Sequence, residues 1–248
     1  SPQELVKAVR NLGYMGAVVT TTTNTKRKKL KLTYHIISGE PYRLNHLTYD
    51  VPDTAIYRLM MKDSTASLIH DNMIFNINTI DAERDRITTL LNNNGFYRFT
   101  KDYISFTADT LLESKDIDLT LHLLPLRRSD KYPAPPYRQY RLDNVSIISN
   151  FDMMQATTSS NIDINDSIRY NGYPIYFKNK LSVRPKVLTD NIFFAAGDLY
   201  NNQQIQRTYR NFGRLQAFTY SNIRFTESTT DSTRLSSYIL LTEGRSKS

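Results

Sequence analysis

Apolar and polar residues alternate with period two in several stretches of this chain, and each stretch follows a one-sided helical pattern ending on glycine. Leu30, Leu32, Tyr34 and Ile36 alternate with Lys31, Thr33 and His35. Further on, Ile104, Phe106 and Ala108 alternate with Ser105 and Thr107. After a turn-like segment from Asp109 to Lys115, Ile117, Leu119, Leu121 and Leu123 alternate with Asp118, Thr120 and His122. Alternation of this length predicts strands with one buried and one wet face. A less regular version runs through Phe218, Tyr220 and Ile223 to Phe225, then from Leu235 to Leu241.

The helical patterns share a spacing. Leu5, Val9 and Leu12 precede Gly13, and Ile205, Tyr209 and Phe212 precede Gly213, both at i, i+4 and i+7. Before Gly95, Ile87 and Leu91 fit, Leu90 widens the stripe and Asn94 takes the last apolar place. These are amphipathic helices with glycine where a left-handed C-terminal cap is expected. For the middle helix, Asn78 or Thr79 reads as the N-cap, with Asp81 and Glu83 facing the positive end of the dipole. Gly197-Asp198 reads as the entry to the last helix.

The strand-like segment Tyr42-Arg43-Leu44-Asn45-His46-Leu47-Thr48 recurs as Tyr140-Arg141-Leu142-Asp143-Asn144-Val145-Ser146. The repeating unit is therefore strand, helical region, helix, strand, strand. This predicts an α+β fold of tandem units, each a three-stranded mixed sheet with helices packed on one face. The expected division is a partial unit over 1–39, a complete unit over 40–126, a linker over 127–139 stiffened by Pro133, Pro135 and Pro136, and a unit over 140–243 with an insertion near 150–180. Asn150 to Tyr173, rich in Ser, Thr, Asn and Asp, reads as a long excursion or an extra hairpin.

Composition narrows the chemistry. The 248 residues are 40% hydrophobic with no Cys, which excludes a disulfide framework, Cys-ligated zinc and thiol catalysis without assigning a compartment. Tyr outnumbers Phe 17 to 11, as suits half-buried sheet faces. No run approaches the roughly 18 apolar residues of a membrane-spanning helix. The chain opens at Ser1 with neither Met nor a signal pattern and reads as an excised fragment. The net charge is +8, densest at Lys26-Arg27-Lys28-Lys29 and Lys31, where a hairpin should turn. That cluster reads as a solvated turn or a basic patch, and without a recognition helix or a basic zipper nucleic acid is not an expected partner.

No catalytic constellation emerges. His35, His46, His70 and His122 lack metal-ligand spacing, no phosphate loop is present, and no cofactor or metal is expected. Asp81, Glu83 and Asp85 among Arg84 and Arg86 read as a solvated helix surface. Thr20 to Thr23 reads as strand.

Three stretches resemble the polypeptide-transport-associated (POTRA) repeats of BamA/TamA-type outer-membrane assembly factors. They are Gly39-Glu40-Pro41-Tyr42-Arg43-Leu44, Leu91-Asn92-Asn93-Asn94-Gly95-Phe96-Tyr97-Arg98-Phe99, and Phe106-Thr107-Ala108-Asp109. The third copy adds Arg184-Pro185 and Phe194-Ala195-Ala196-Gly197-Asp198-Leu199-Tyr200, but departs at Arg214-Leu215, where the others have Gly-aromatic. The resemblance implies a periplasmic, non-enzymatic part of an outer-membrane protein, near the membrane surface and followed by a C-terminal β-barrel. Its implied partners are unfolded outer-membrane protein clients and accessory assembly lipoproteins. It also implies that the strand after the landmark glycine is the client-binding edge. Those residues are Tyr103, Ile104, Ser105, Phe106, Thr107 and Ala108 in the second unit, and Ala217, Phe218, Tyr220, Ile223 and Phe225 in the third; Ala17 to Thr23 is the counterpart in the first. An edge strand presents unpaired backbone groups to which an extended segment adds. The alternatives are a dedicated secretion transporter with similar repeats and, from another class, an envelope ligand-binding or enzymatic domain.

Overall fold

The computed structural model describes residues 1–26, 28–110, 114–126, 135–151 and 164–244. Arg27 of the basic cluster, the start of the predicted linker and the centre of the predicted excursion lie outside the described residues. The chain groups into two compact units, Ser1–Leu90 with Phe99–Pro136, and Leu91–Arg98 with Tyr137–Ser248.

The first unit opens with helix α1 (Pro2–Asn11), started by a Ser1/Glu4 capping box, and the antiparallel hairpin β1 (Val18–Lys26) and β2 (Lys29–Ile37). A complete repeat follows: β3 (Arg43–Asp50), α2 (Thr54–Lys62), α3 (Ile77–Asn93), β4 (Ile104–Thr110) and β5 (Asp116–Leu123). Its sheet has the order β3-β5-β4, with β3 parallel and β4 antiparallel to β5. The alternation in β5 appears directly as burial, with Ile117, Leu119, Leu121 and Leu123 inside. Leu44, Ile69, Phe75, Ile117 and Leu119 form one cluster, with Ile80 and Phe106 packed against it.

Two sequence readings of α3 need correction. The helix starts at Ile77, and the Asn76 carboxamide oxygen accepts the N–H of Asn78 (2.9 Å), so the capping side chain is Asn76 and neither Asn78 nor Thr79. Glu83 is not on a solvated surface. It is 2% exposed and accepts from Ser67 Oγ (2.9 Å), Leu68 N–H (2.9 Å) and both Arg86 Nε and Nη2 (2.8 Å each). Arg86 also bonds Asp63.

The second unit contains β6 (Arg141–Ile148), β7 (Asp166–Tyr170), β8 (Tyr173–Phe177), α4 (Pro185–Thr189), α5 (Asn202–Arg214), β9 (Phe218–Glu227) and β10 (Arg234–Glu243). The order β7-β8-β6-β10-β9 contains the expected three strands as β6-β10-β9 and extends them by a hairpin. Asn171 and Gly172 turn that hairpin with φ of 48° and 83°, the paired left-handed conformation of a two-residue loop. Leu142, Ile147, Ile175, Leu188, Leu235 and Ile239 lie in its core.

The landmark glycines diverge in role. Gly13 (φ +97°) and Gly95 (φ +93°) have left-handed backbones, and their carbonyls accept the N–H of Tyr42 and Tyr140 respectively, at 2.8 Å each. Each glycine thus ties a helix end to the recurring tyrosine that opens a sheet. Gly213 does neither: it lies inside α5 without a positive φ, so the expected cap is absent there. The entry to α5 is also elsewhere. Asn201 caps it by accepting the Gln204 N–H (3.2 Å), whereas Asp198 accepts the Ala195 N–H (2.8 Å) in a preceding turn.

Candidate functional site

Among the described residues all three sequence-derived strands lie at sheet edges: β1 and β4 of the first unit pair only with β2 and β5, and β9 of the second only with β10. Edge position alone does not say which backbone groups are presented, because antiparallel pairing turns them alternately inward and outward. In the first unit the Leu124 N–H donates to the Tyr103 carbonyl (2.8 Å), which sets the alternation. Tyr103, Ser105, Thr107 and Asp109 therefore turn their backbone groups to β5, and Ile104, Phe106, Ala108 and Thr110 turn theirs outward.

The start of this edge is already occupied. Arg84 Nε donates to the Ile104 carbonyl (2.8 Å) and its Nη2 to the Lys101 carbonyl (3.1 Å). Arg84 is held in turn by Asp81 (3.0 Å), which also bonds Lys101 (2.7 Å). The hydrogen bond from Lys101 keeps the Asp81 carboxyl below its usual range, and the same bond raises the Lys101 ammonium. The presented stretch is thus Phe106 to Thr110. Beside it Ile77, Ile80 and Phe106 line an apolar groove closed by Asp81 and Arg84. Tyr103 is not in the strand; it ends a short 3-10 turn, Lys101–Tyr103.

On the sheet's other face a hydrogen-bonded chain crosses all three strands. Asp50 bonds His122 Nδ1 (2.8 Å), and His122 Nε2 bonds Thr107 Oγ1 (2.9 Å). It ties both flanking strands to β5.

In the second unit the Ser228 N–H donates to the Arg234 carbonyl (2.9 Å), so Ser221, Ile223, Phe225 and Glu227 turn their backbone outward. The Ile223 N–H is taken by the Asn222 side chain (2.9 Å). Tyr220 faces its pair Thr242, and Ala217 precedes the strand, its carbonyl accepting from the Gly244 N–H (2.9 Å). Phe218 sits beside the bulge and packs into the core. Phe225 lies against the Tyr97 ring (5.6 Å between centroids), which also meets Tyr140 (5.7 Å) and Tyr200 (5.0 Å). Arg98 bonds Glu227 (2.5 Å). Burial pushes the Tyr200 hydroxyl up to about 12, with Tyr97 adding to the shift.

The sequence reading missed Arg84 and Asn222, whose side chains compete for edge backbone groups. The Arg84 partners lie 17 and 20 residues away, so no local pattern marks it, whereas Asn222 bonds the adjacent Ile223 and matters only because β9 lies at the sheet edge. Among the described residues no group of three metal-ligating side chains occurs.

No family model matches the sequence, and no curated protein matches it. Solved structures match by shape. BamA from Haemophilus ducreyi lacking POTRA domains 1–3 aligns with a TM-score of 0.50 at 8% identity, over 82% of this chain and 30% of that one. POTRA3–5 of Haemophilus influenzae BamA covers 97% of this chain and 80% of its own, at 14% identity and a TM-score of 0.45. CdiB from Acinetobacter baumannii covers 98% of this chain and 37% of its own, at 10% identity and a TM-score of 0.30. The fold is of the POTRA type, in tandem α+β units.

Proposed function

We propose that this chain is a non-enzymatic platform that binds extended client segments during assembly of outer-membrane β-barrel proteins. In this reading it works in the periplasm beside a membrane-embedded barrel that follows it in the full protein, and accessory assembly proteins dock on the same array. Clients add as a further strand, first at β4 and second at β9. The observation that carries the reading is the run of outward backbone groups from Phe106 to Thr110 beside the groove of Ile77, Ile80 and Phe106. Main-chain hydrogen bonds supply affinity that tolerates many sequences, and the groove takes alternate apolar side chains, which suits a β-barrel strand. At β9 Ser221, Phe225 and Glu227 keep their outward backbone groups, while Asn222 already holds the Ile223 N–H.

The Ala108→Pro variant tests this mechanism. The Ala108 N–H points away from β5, so proline removes an outward donor and leaves the β4–β5 ladder in place. Amide NMR of the full chain, titrated with peptides copied from outer-membrane β-strands and with scrambled controls, should show shifts along Phe106 to Thr110. The variant should lose them while keeping its other resonances. Unchanged binding by the variant would rule out strand addition at β4.

A further inference from the structure

Charge in the second unit is segregated in a way that its packing does not require. No acidic residue occurs between Asp198 and Glu227, and within that stretch α5 carries Arg207, Arg210 and Arg214. At about 100° per residue these three fall within about 60° of one another, on a line about 10 Å long. The opposite side of α5 is the buried one, with Ile205, Thr208 and Phe212 turned inward, and all three arginines are exposed. The equivalent helix of the complete repeat treats its arginines differently. On α3, Arg84 bonds Asp81 (3.0 Å), and Arg86 bonds Glu83 (2.8 Å) and Asp63. Among the described residues none of the α5 arginines forms an ion pair or a hydrogen bond.

Two ordinary roles account for part of the row. The Arg207 guanidinium lies 3.7 Å from the Phe193 ring centroid, a cation–π contact that holds it at the surface. Arg214, in the last turn, is favoured by the helix dipole. Arg210 has neither role, and like charges at i+3 and i+4 spacing destabilise a helix. Folding alone therefore gives no reason to keep the row, and an anionic ligand does. Guanidinium groups fork onto phosphate oxygens and give up their hydration more readily than ammonium groups. A straight row on a convex helix does not converge on one anion, as a pocket would; it matches a plane of many. Tyr209, 44% exposed on the neighbouring flank, adds an amphipathic ring of the kind that settles at a headgroup layer, and Gly213 raises no side chain between it and the row. We infer that the Arg207–Arg210–Arg214 row binds the headgroup phosphates of an anionic phospholipid bilayer and holds the second unit against its surface. The inference does not rest on client addition at β4 or β9.

The test is cosedimentation of the full chain with vesicles of phosphatidylcholine alone and of phosphatidylcholine mixed with phosphatidylglycerol. The chain should pellet with the mixed vesicles only, and added salt should release it. Each arginine near an anionic surface is worth about fivefold in partitioning, so Arg207→Gln, Arg210→Gln and Arg214→Gln together should weaken binding about a hundredfold. Arg210→Gln alone, which removes no ion pair or hydrogen bond of the chain, should cost about fivefold. Replacing all three by Lys should keep most of the binding. Lys28→Gln, Lys29→Gln and Lys31→Gln together remove the same charge from the β1–β2 hairpin and should change binding little. Equal pelleting with both kinds of vesicle, no pelleting with either, or an equal loss from the lysine changes would each overturn the assignment. So would arginine-dependent binding of an oligoglutamate peptide or of duplex DNA in place of vesicles.

Discussion

Glu83 is where a single residue carries the largest local consequence. Its carboxylate is almost wholly buried and accepts four hydrogen bonds, two from Arg86 and two from the Ser67–Leu68 segment. The hydrogen bonds that Arg86 donates to Glu83 are the main reason its guanidinium is held still more firmly protonated, with Asp63 adding to it. Removing one partner of a buried ion pair leaves the other uncompensated, and that loss exceeds what the pair contributes relative to an apolar replacement. Glu83→Ala should therefore cost about 3 kcal/mol, read from the urea midpoint, and Arg86→Ala a similar amount. Glu83→Gln should fall between wild type and alanine, because the amide oxygen still accepts while the charge is gone. The sequence around it, alternating acidic and basic on one helix, looks the same as a solvated surface. Only the arrival of Ser67 and Leu68 from 16 and 15 residues away distinguishes the two.

Helix ends that look alike in sequence differ in structure at the element scale. A Cβ on Gly13 would stand 2.3 Å from the Phe75 carbonyl oxygen, and one on Gly95 would stand 2.8 Å from Leu199 Cδ1, both on left-handed backbones. Gly13→Ala and Gly95→Ala should each destabilise by about 2 kcal/mol, from backbone strain and steric crowding together. Gly213 is helical with no atom within 4 Å of a built Cβ, so Gly213→Ala should stabilise by about 0.5–1 kcal/mol. Thermal denaturation of the three variants separates the two roles, and a destabilising Gly213→Ala would show that the third glycine is a junction after all. All three glycines follow an apolar helical stripe in sequence, complete before Gly13 and Gly213 and ending on Asn94 before Gly95. What separates them is the residue that comes to meet the glycine carbonyl, Tyr42 in one case and Tyr140 in another. The edges follow the same logic: the strand positions were legible from alternation, but the outward set was not, because Leu124 and Ser228 define it from across the ladder.

At the scale of the whole molecule, tyrosine is the residue type most exposed to a change of conditions. Tyr49, Tyr140, Tyr173 and Tyr200, spread over both compact units, all have hydroxyls pushed above the ordinary value chiefly by burial, Tyr200 to about 12. A raised folded-state value means that these groups add no pH dependence below about pH 10, where both states are protonated. Above that, the unfolded chain ionises first and binds fewer protons, so stability falls as pH rises from about 10 toward 12. Alkaline unfolding followed by tyrosinate absorbance should show cooperative release in that window, and Tyr200→Phe should weaken the steepness. A gradual, non-cooperative titration at the ordinary tyrosine value would count against the burial described.

The sequence by itself determined the period-two strands, the amphipathic helices, the α+β repeat and the two glycine caps at Gly13 and Gly95. These are local properties, set by steric and hydrophobic demands within one turn of helix or a few residues of strand. Tertiary structure alone decided the burial of Glu83, the Arg84 clamp on Ile104, the Asp50–His122–Thr107 chain and the addition of β7 and β8 to β6. Each of these depends on hydrogen bonds between residues distant in sequence, and a backbone donor or side chain finds such a partner only once the sheet order and register are set.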